Sequence, residues 1–519
     1  MNSRSLRWIA LLSLLWLGLG CTTPLPTAER PASTALTDTG DTSLGRLLDP
    51  TLAHRPGQSG FFLLNTGKEA FEARIALADL AEHSLDMQYY IWEGDSSSRT
   101  LGLRILGAAD RGVRVRILLD DFYLGGSRDF TIAAFDRHPN IEVRLFNPMS
   151  IRQRPLLRGL ELATRVARLK HRMHNKLFVA DNQVGIMGGR NIGDIYFGVD
   201  PERNYRDLDV MTAGPIVPRI SESFDTYWNS QWVVPIREVR GRLPSPEEAE
   251  TIMHEARSLA EKEWDFPYRL PPERTAAVDA MTSLAEHFVW GTADLVYDTP
   301  DKVQGDISEN VSLGLLGILE ESHREVLIVS PYLIPVSKEL EGLALLRENG
   351  ASIRVLMNSL ASTDVALAHA GYAPHRRKML EMGARLHELR PDAASRSLYL
   401  ADPGGPSDLS LHAKTAVFDR RVVYIGSYNL DRLGAQVITE IGLIIQSPEL
   451  AEQLLELIEV DLRPENSWRV VLEEKDSCGK PRLEWVGAGE DGEVRYERDP
   501  AVGTGRRIQN FFLSLLPIR

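Results

Sequence analysis

Cysteine is scarce in this chain: Cys21 and Cys478 are the only two in 519 residues. Basic charge is in deficit, with 59 lysines and arginines against 72 acids and a net charge of −13. That balance argues against a protein built to coat nucleic acid, although it leaves room for local basic patches. The apolar run from Trp8 to Leu19, preceded by Arg4 and Arg7, is too short to span a bilayer and reads as an export signal. A single core is excluded by length, and two domains of roughly 200 residues are expected.

What the sequence does contain is a long-range repeat. HNKLFVAD begins at His174 and HAKTAVFD at His412, 238 residues later. Asp419 follows Asp181, Gly426 follows Gly188 and Asn429 follows Asn191 by the same 238. Upstream, GVRVRILLD from Gly112 and GASIRVLMN from Gly350 share that displacement. One offset near half the chain means two copies of one domain, since solenoid repeats are far shorter. Within each copy strand-like and helical patterns alternate: SLDMQYYIW, a helix over about 99–110, VRVRILLDD and IEVRLFN, then EVLIVSPYL, a helix over about 338–348, IRVLMN, a helix near 375–382 and ARLHEL. This order predicts an α/β fold of two homologous domains, each a mainly parallel sheet covered by helices on both faces.

A strand's period of two puts His174 and Lys176 on one face, and likewise His412 and Lys414. Asp181 and Asp419 have the other parity and fall at turns, as structural acids. GGRN and GSYN end the next strand with small residues and an asparagine, Asn191 or Asn429, whose amide can donate to a phosphate oxygen. Neither half holds a complete site. Together they supply two histidines, two lysines and two asparagines, a set suited to a phosphodiester: lysines and amides neutralise its oxygens, one imidazole attacks phosphorus and the other protonates the departing alkoxide. The imidazoles must start in opposite protonation states, and Asp207 in YRDLDV and Glu440 in ITEIGL are placed to orient them, with Asp209 as the alternative to Asp207. Their separation of 233 departs from 238 by a loop-length difference. A catalytic metal is not expected, because the lysines would repel a dication and no cluster of Cys, His and carboxylate with ligand spacing accompanies His171 and His174.

On these residues the sequence resembles the phospholipase D superfamily, whose signature is HxKxxxxD followed by GSxN, twice in monomeric members; the likeness spans roughly residues 59–470. The resemblance implies one pseudo-twofold active site, no cofactor, a phosphohistidine on His174 and an acid, then base, at His412. Ser427 keeps the family serine as a phosphate contact, whereas Gly189 replaces it in the first half. SLDMQYYIW, GVRVRILLDD, RMHNKLFVADNQVGIMGGRNIGDIYFG and YRDLDVMTAGP are similar to bacterial cardiolipin synthases, especially the C type. That likeness implies transfer of a phosphatidyl group to the glycerol hydroxyl of phosphatidylglycerol, with phosphatidylethanolamine as donor. LGLGC at residues 17–21 resembles a lipobox, which implies acylation of Cys21, leaves Cys478 without a disulfide partner, and suggests an exported protein at the periplasmic face, sorted to the outer membrane.

The expected order is therefore a lipoprotein-type signal over 1–21, a flexible tether over 22–58, a first domain over 59–240, a helical linker or insertion over 241–303, a second domain over 304–470 and a C-terminal segment over 471–519. The bilayer is the expected partner, and no nucleic acid is; oligomeric state leaves no trace in the sequence. Two stretches bear on membrane contact. Arginines and lysine at 152, 154, 158, 165, 168, 170 and 172 interleave with apolar residues and read either as a membrane-surface helix or as an ordinary amphipathic one. RRIQNFFLSLLPIR reads either as an interfacial segment or, the reading preferred from sequence, as a final helix buried against the domain. Four functions compete: phosphatidyl transfer, hydrolysis to phosphatidic acid, a nuclease of the same superfamily, and an inactive membrane-tethered binding protein.

Overall fold

The computed structural model describes residues 30–515, apart from 125–126, 152–154, 240–242, 261–265, 269–273, 308–309, 336 and 474–481. The signal, Cys21 and Cys478 lie outside the described residues. In the first half the strands are β1 (Ser59–Leu64), β2 (Ser84–Tyr89), β3 (Arg114–Asp120), β4 (Ile141–Phe146), β5 (Leu177–Ala180), β6 (Val184–Gly188), β7 (Arg203–Arg206), β8 (Asp209–Ala213) and β9 (Val233–Pro235). The second half supplies β10 (Val289–Tyr297), β11 (Glu325–Val329), β12 (Ser352–Asn358), β13 (Arg385–Leu389), β14 (Asp408–Leu411), β15 (Thr415–Phe418), β16 (Val422–Gly426), β17 (Ile441–Gln446) and β18 (Ser467–Glu473), then β19 (Arg482–Gly489) and β20 (Gly492–Tyr496).

Pairing makes the duplication explicit. The first sheet runs β1-β8-β6-β5-β2-β3-β4-β9. The second runs β10-β17-β16-β15-β11-β12-β13-β18 in the same order and extends through β19 and β20. Within these two sheets, among the described residues, only β2-β3-β4 and β11-β12-β13 are parallel; the flanking ladders are antiparallel, and β5-β6 and β15-β16 are hairpins with no helix between their strands. The α/β expectation therefore holds with a mixed sheet in place of a mainly parallel one. Helices cover the faces. Gly67–Leu80 starts at a capping box between Thr66 and Glu69, and Pro448–Leu462 starts at Ser447 and buries Leu450, Leu454 and Ile458.

Two strand pairings, a shared core and a buried ion pair join the halves. β1 pairs antiparallel with β10 through Ser59–Phe61, and β7 pairs parallel with β14 as a separate ribbon, Arg206 opposite Leu411. Between the sheets lies one apolar core to which Leu177, Met187 and Val210 contribute from one side and Leu411, Ile425 and Leu443 from the other. Arg206 Nε crosses to Asp461 Oδ2 at 2.8 Å, both fully buried, with Tyr399 donating to the other carboxylate oxygen at 3.2 Å.

Two boundaries differ from expectation. From residue 30 the stretch read as a flexible tether is docked: Arg116 and Arg144, buried on the first sheet, donate to Ser33 O and Pro31 O at 2.9 Å, Ala35 N donates to Asp225, and Ser43–Ala53 is a helix. Buried guanidinium groups need acceptors, and backbone carbonyls of this irregular stretch supply them without a periodic pattern in the sequence. The stretch read as helical over 241–303 contains helices Pro246–Ala260 and Arg274–Glu286, and it also contains β10, whose Gly, Ala and Asp residues hide its strand character. No helix among the described residues is long and apolar enough to cross a membrane.

Because Asp461→Ala would leave the buried Arg206 guanidinium without its carboxylate, it is expected to lower the unfolding free energy by about 3 kcal/mol. Urea denaturation checks this; an unchanged midpoint would show that the inter-half ion pair carries no stability.

Candidate active site

Each His-x-Lys lies in the extended segment leading into a hairpin strand, β5 or β15. The hairpins turn at Asp181 and Asp419, both in the left-handed region (φ 51° and 52°). Asp181 accepts the backbone N–H groups of Glu82, His83 and Ser84 at 2.7–2.9 Å, and Asp419 those of His323, Arg324 and Glu325 at 2.8–3.0 Å. These acids thus pin the hairpin turns to the starts of β2 and β11, away from the histidines.

The lead-in segments are held by the opposite half. His174 N–H donates to Thr439 O at 2.9 Å, and His412 N–H donates to Arg206 O at 2.9 Å. Thr439 precedes Glu440 and Arg206 precedes Asp207, so each backbone bond delivers a carboxylate to a ring across the interface. His174 Nδ1 lies 2.9 Å from Glu440 Oε2, and His412 Nδ1 lies 2.6 Å from Asp207 Oδ2. The two acids are structurally equivalent despite the five-residue slip: each stands two residues before the residue paired with the hairpin glycine, Asp209 opposite Gly188 and Gly442 opposite Gly426. Asp209 serves the scaffold instead, bound to Arg74 at 2.8 Å.

The Gly189 departure has a steric cause. A Cβ at residue 189 would stand 2.1 Å from Asp207 Oδ1, so a serine cannot share the space with this aspartate. In the other half Ser427 Oγ donates to Glu440 Oε2 and accepts from Ile441 N at 3.0 Å. Ser427, expected to contact phosphate, is thereby committed to positioning Glu440. Backbone N–H of Leu208 does the matching work for Asp207 Oδ1 at 2.8 Å.

Four bases converge in a buried space. His174, Lys176, His412 and Lys414 are all at most 7% exposed. Lys176 Nζ donates to His174 O, and Lys414 Nζ to His412 O. Burial and then the facing lysines push His174 well below its ordinary value and lower His412 as well. Burial also depresses Lys176 strongly and brings Lys414 to about 8. The acids diverge. Burial raises Glu440 well above the carboxylate range, whereas at Asp207 His412 and Lys414 outweigh burial and hold the carboxylate below it. Asp207 is therefore the stronger counter-ion of the two.

The asparagines are not equivalent. Asn191 Oδ1 accepts Ile91 N–H at 3.0 Å and its Nδ2 donates to Tyr196 OH at 3.0 Å, which ties it to the scaffold. Asn429 Oδ1 is buried without a partner among the described residues. Of the basic stretch, the side chains at 152, 154 and 158 lie outside the described residues; Arg165 binds Glu161 at 2.9 Å, Arg168 donates to Pro148 O at 3.2 Å, Arg172 reaches Asp120 at 3.2 Å, and His171 meets Val437 O at 2.9 Å. A His369, Glu388 and Asp499 cluster has metal-like spacing, but Arg376 fills it, bound to all three.

Two features went unread in the sequence. Asp120 and Asn358, the last residues of the repeated strands, accept the backbone N–H of Met173 and Leu411 at 2.8 Å and so fix the residue before each histidine; their equivalence at 238 residues was the available signal. The second is an aromatic collar. Tyr90 stacks edge-on to His174 at 5.0 Å and touches Tyr123 at 5.3 Å, while Tyr205 and Tyr196 lie 4.7 and 5.4 Å from His412. Asp364 accepts both the Tyr205 and Tyr332 hydroxyls at 2.8 Å. No spacing rule links these tyrosines: Tyr90 and Tyr123 come from loops, Tyr196 from a short 3-10 helix and Tyr205 from β7 of the first half, and Tyr332 from the second half.

Comparison with known proteins agrees with this architecture. The family described as cardiolipin synthase, PLD-like domain, matches residues 75–228 and 315–462, one stretch in each half. Cardiolipin synthase C of Escherichia coli (strain K12) is 38% identical over 473 residues, covering 90% of this chain and 97% of that protein. The major cardiolipin synthase ClsA of Bacillus subtilis (strain 168) is 23% identical, covering 77% and 68%. Among solved structures, phosphatidylserine synthase of Haemophilus influenzae Rd KW20 shares the fold with a TM-score of 0.53 at 15% identity, over 80% of this chain and 89% of that one. Two matched domains and a full-length relative at this identity establish that the chain belongs to the phospholipase D-like cardiolipin synthase family of enzymes.

Proposed function

We propose that the protein is a phosphatidyltransferase that makes cardiolipin from phosphatidylglycerol and a second phospholipid, phosphatidylethanolamine, through a phosphohistidine. The observation that carries this reading is the crosswise set of two His–carboxylate pairs with two lysines in one buried space. In this mechanism His174 donates its Nδ1–H to Glu440 and attacks phosphorus through the Nε2 lone pair. The bond to the head-group oxygen breaks as His412, charged against Asp207, delivers its Nε2 proton to the departing alkoxide. Neutral His412 then takes the proton of a glycerol hydroxyl of phosphatidylglycerol, whose oxygen attacks phosphorus and releases His174. Lys176, Lys414 and the Asn429 amide hold the phosphate oxygens, and Asn191 holds the loop behind His174.

The different acids support this division of labour. The ring facing the weaker counter-ion is the more easily kept neutral, as a nucleophile must be, and the ring facing ionised Asp207 is the more easily charged. Water resolving the same intermediate would give phosphatidic acid, so the aromatic collar has a stated task, which is to keep the phosphohistidine dry until the lipid alcohol arrives. Export, acylation of Cys21 and action at the periplasmic face belong to the same proposal; the support is the arginine-led apolar run ending at LGLGC.

The test is product mass from full-length Cys21→Ser enzyme on mixed phosphatidylglycerol and phosphatidylethanolamine vesicles. Cardiolipin is expected from the unmodified site, and His174→Ala should abolish both cardiolipin and the acid-labile covalent adduct. Phosphatidic acid alone would replace transfer by hydrolysis, and wild-type turnover by His174→Ala would end the nucleophile assignment.

Gly189→Ser is expected to lower kcat at least tenfold by displacing Asp207, and Gly189→Ser with Asp207→Glu, which copies the Ser427–Glu440 pair, should recover part of the loss. Equal activity of both variants would show that Asp207 does not position His412.

The four bases lose protons early because they are buried and face one another, and an entering anion reverses this. Binding of inorganic phosphate at pH 8 should therefore take up protons, since Lys414, lowered to about 8, and the other lowered bases are raised again. Calorimetry in buffers of different ionisation enthalpy reads the sign; proton release would contradict the electrostatics.

A further inference from the structure

The helix Thr504–Ser514 is amphipathic in the reverse sense for a surface helix. Three of its polar residues face the protein: Arg506 donates to Thr363 O, Arg507 Nη2 donates to Asp499 O at 2.7 Å, and Asn510 Oδ1 stands 3.3 Å from His369 Nδ1. Its apolar stripe faces out, with Ile508 52%, Phe511 60%, Phe512 62% and Leu515 66% exposed, at the i, i+3, i+4, i+7 spacing of one helix face. No residue of the helix is buried, so the reading of this segment as a helix packed apolar-side down is overturned. The adjoining segment adds exposed Val365 and Leu367, at 40% and 43%.

The inward side of this helix is linked to the active-site rim. Thr363, bound by Arg506, is followed by Asp364, which holds Tyr205, and Tyr205 packs on His412. Beside the helix an open cavity of about 500 Å³ is lined by Arg376, Arg377, Arg482, Arg498 and Arg507 with Glu497 and Asp499; Arg482 pairs with Glu497 and Arg376 with Asp499, so Arg377, Arg498 and Arg507 make the basic excess. Arg507 Nε is buried there without a partner among the described residues.

We propose that helix Thr504–Ser514, with Val365 and Leu367, is a wedge that inserts into an anionic bilayer and seats the His412 rim against the lipid surface. An outward apolar stripe bordered by a basic collar matches the two layers of such an interface, acyl chains and anionic head groups. A twofold contact between copies fits less well, because it would press two arginine collars together. The inference rests on the reading that the substrates are phospholipids, since it assigns how that site reaches them.

Two measurements on the full chain test it. In a Cys21→Ser, Cys478→Ser background, an environment-sensitive fluorophore on the thiol of Phe512→Cys should shift to the blue on mixing with phosphatidylglycerol vesicles, and less with neutral phosphatidylcholine vesicles. No shift overturns the proposal, and this readout needs no turnover, so it stands apart from a failure of the transferase reading. Phe511→Ser with Phe512→Ser should lower turnover of vesicle substrate at least tenfold and leave turnover of monomeric short-chain phosphatidylglycerol unchanged. Equal loss on both substrates would overturn it, as would conversion of a dimer to a monomer by this variant with vesicle turnover intact, which would assign the face to a second copy.

Discussion

The exchange of carboxylates between halves is the constraint from which the rest follows. His174 is oriented by Glu440 and His412 by Asp207, and the backbone bonds from His174 to Thr439 and from His412 to Arg206 fix those meetings. A half alone would hold an imidazole without its orienting acid and an acid buried against nothing. Such buried pairs contribute little net stability, because desolvation offsets most of their attraction. The apolar core shared between the sheets, together with the β1–β10 and β7–β14 pairings, must therefore hold them in register. Stability and chemistry are divided between different residues of one interface.

Within that symmetric frame a single methylene sets the two sides apart. Glu440 reaches its histidine from further back and leaves room for Ser427, which bonds to it; Asp207 is shorter, lies closer to its own backbone and excludes any Cβ at residue 189. The shorter acid stays ionised beside His412 and Lys414, whereas burial dominates at the longer one. Duplication alone would yield two identical imidazoles, and acid–base chemistry needs two different ones. The difference is supplied by the acid behind each ring, with the motifs themselves left nearly alike.

Much of this was legible because duplication writes the same residues twice at one spacing. His174, Lys176 and their partners in the second half could be read from the common offset, whereas Asp207 and Glu440, which break it, could be read only as roughly equivalent positions after the two asparagines, with Asp209 as an alternative. Their crosswise service could not, because sequence distance carries no information about which half a carboxylate faces. Asn191 reads as a phosphate ligand from its amide and Ser427 from the family resemblance, yet Asn191 bonds to Ile91 N–H and the Tyr196 hydroxyl, and Ser427 bonds to Glu440. The antiparallel flanks of the sheets were missed because a short buried strand reads alike in either direction. The docked stretch from residue 30 was missed for another reason: the carbonyls of Pro31 and Ser33 receive the buried arginines, and such backbone contacts leave no side-chain pattern.

The reverse-amphipathic final helix poses the same problem at the surface that the lysines pose inside. A phospholipid presents a charged phosphate and apolar chains within a few bonds of each other, so its enzyme has to supply buried cations and an exposed apolar face in close succession. Here the succession is Lys414 and His412, then Tyr205 and Asp364, then Arg506, then Phe511 and Phe512, running from the interior to the outermost apolar side chains. The series begins at buried cations and ends at exposed apolar side chains, with the Asp364 and Arg506 contacts between them. A water-soluble phosphodiester would need the first part of that series and would gain nothing from the last, so the gradient as a whole, more than the motif at its centre, points to a substrate drawn from a bilayer.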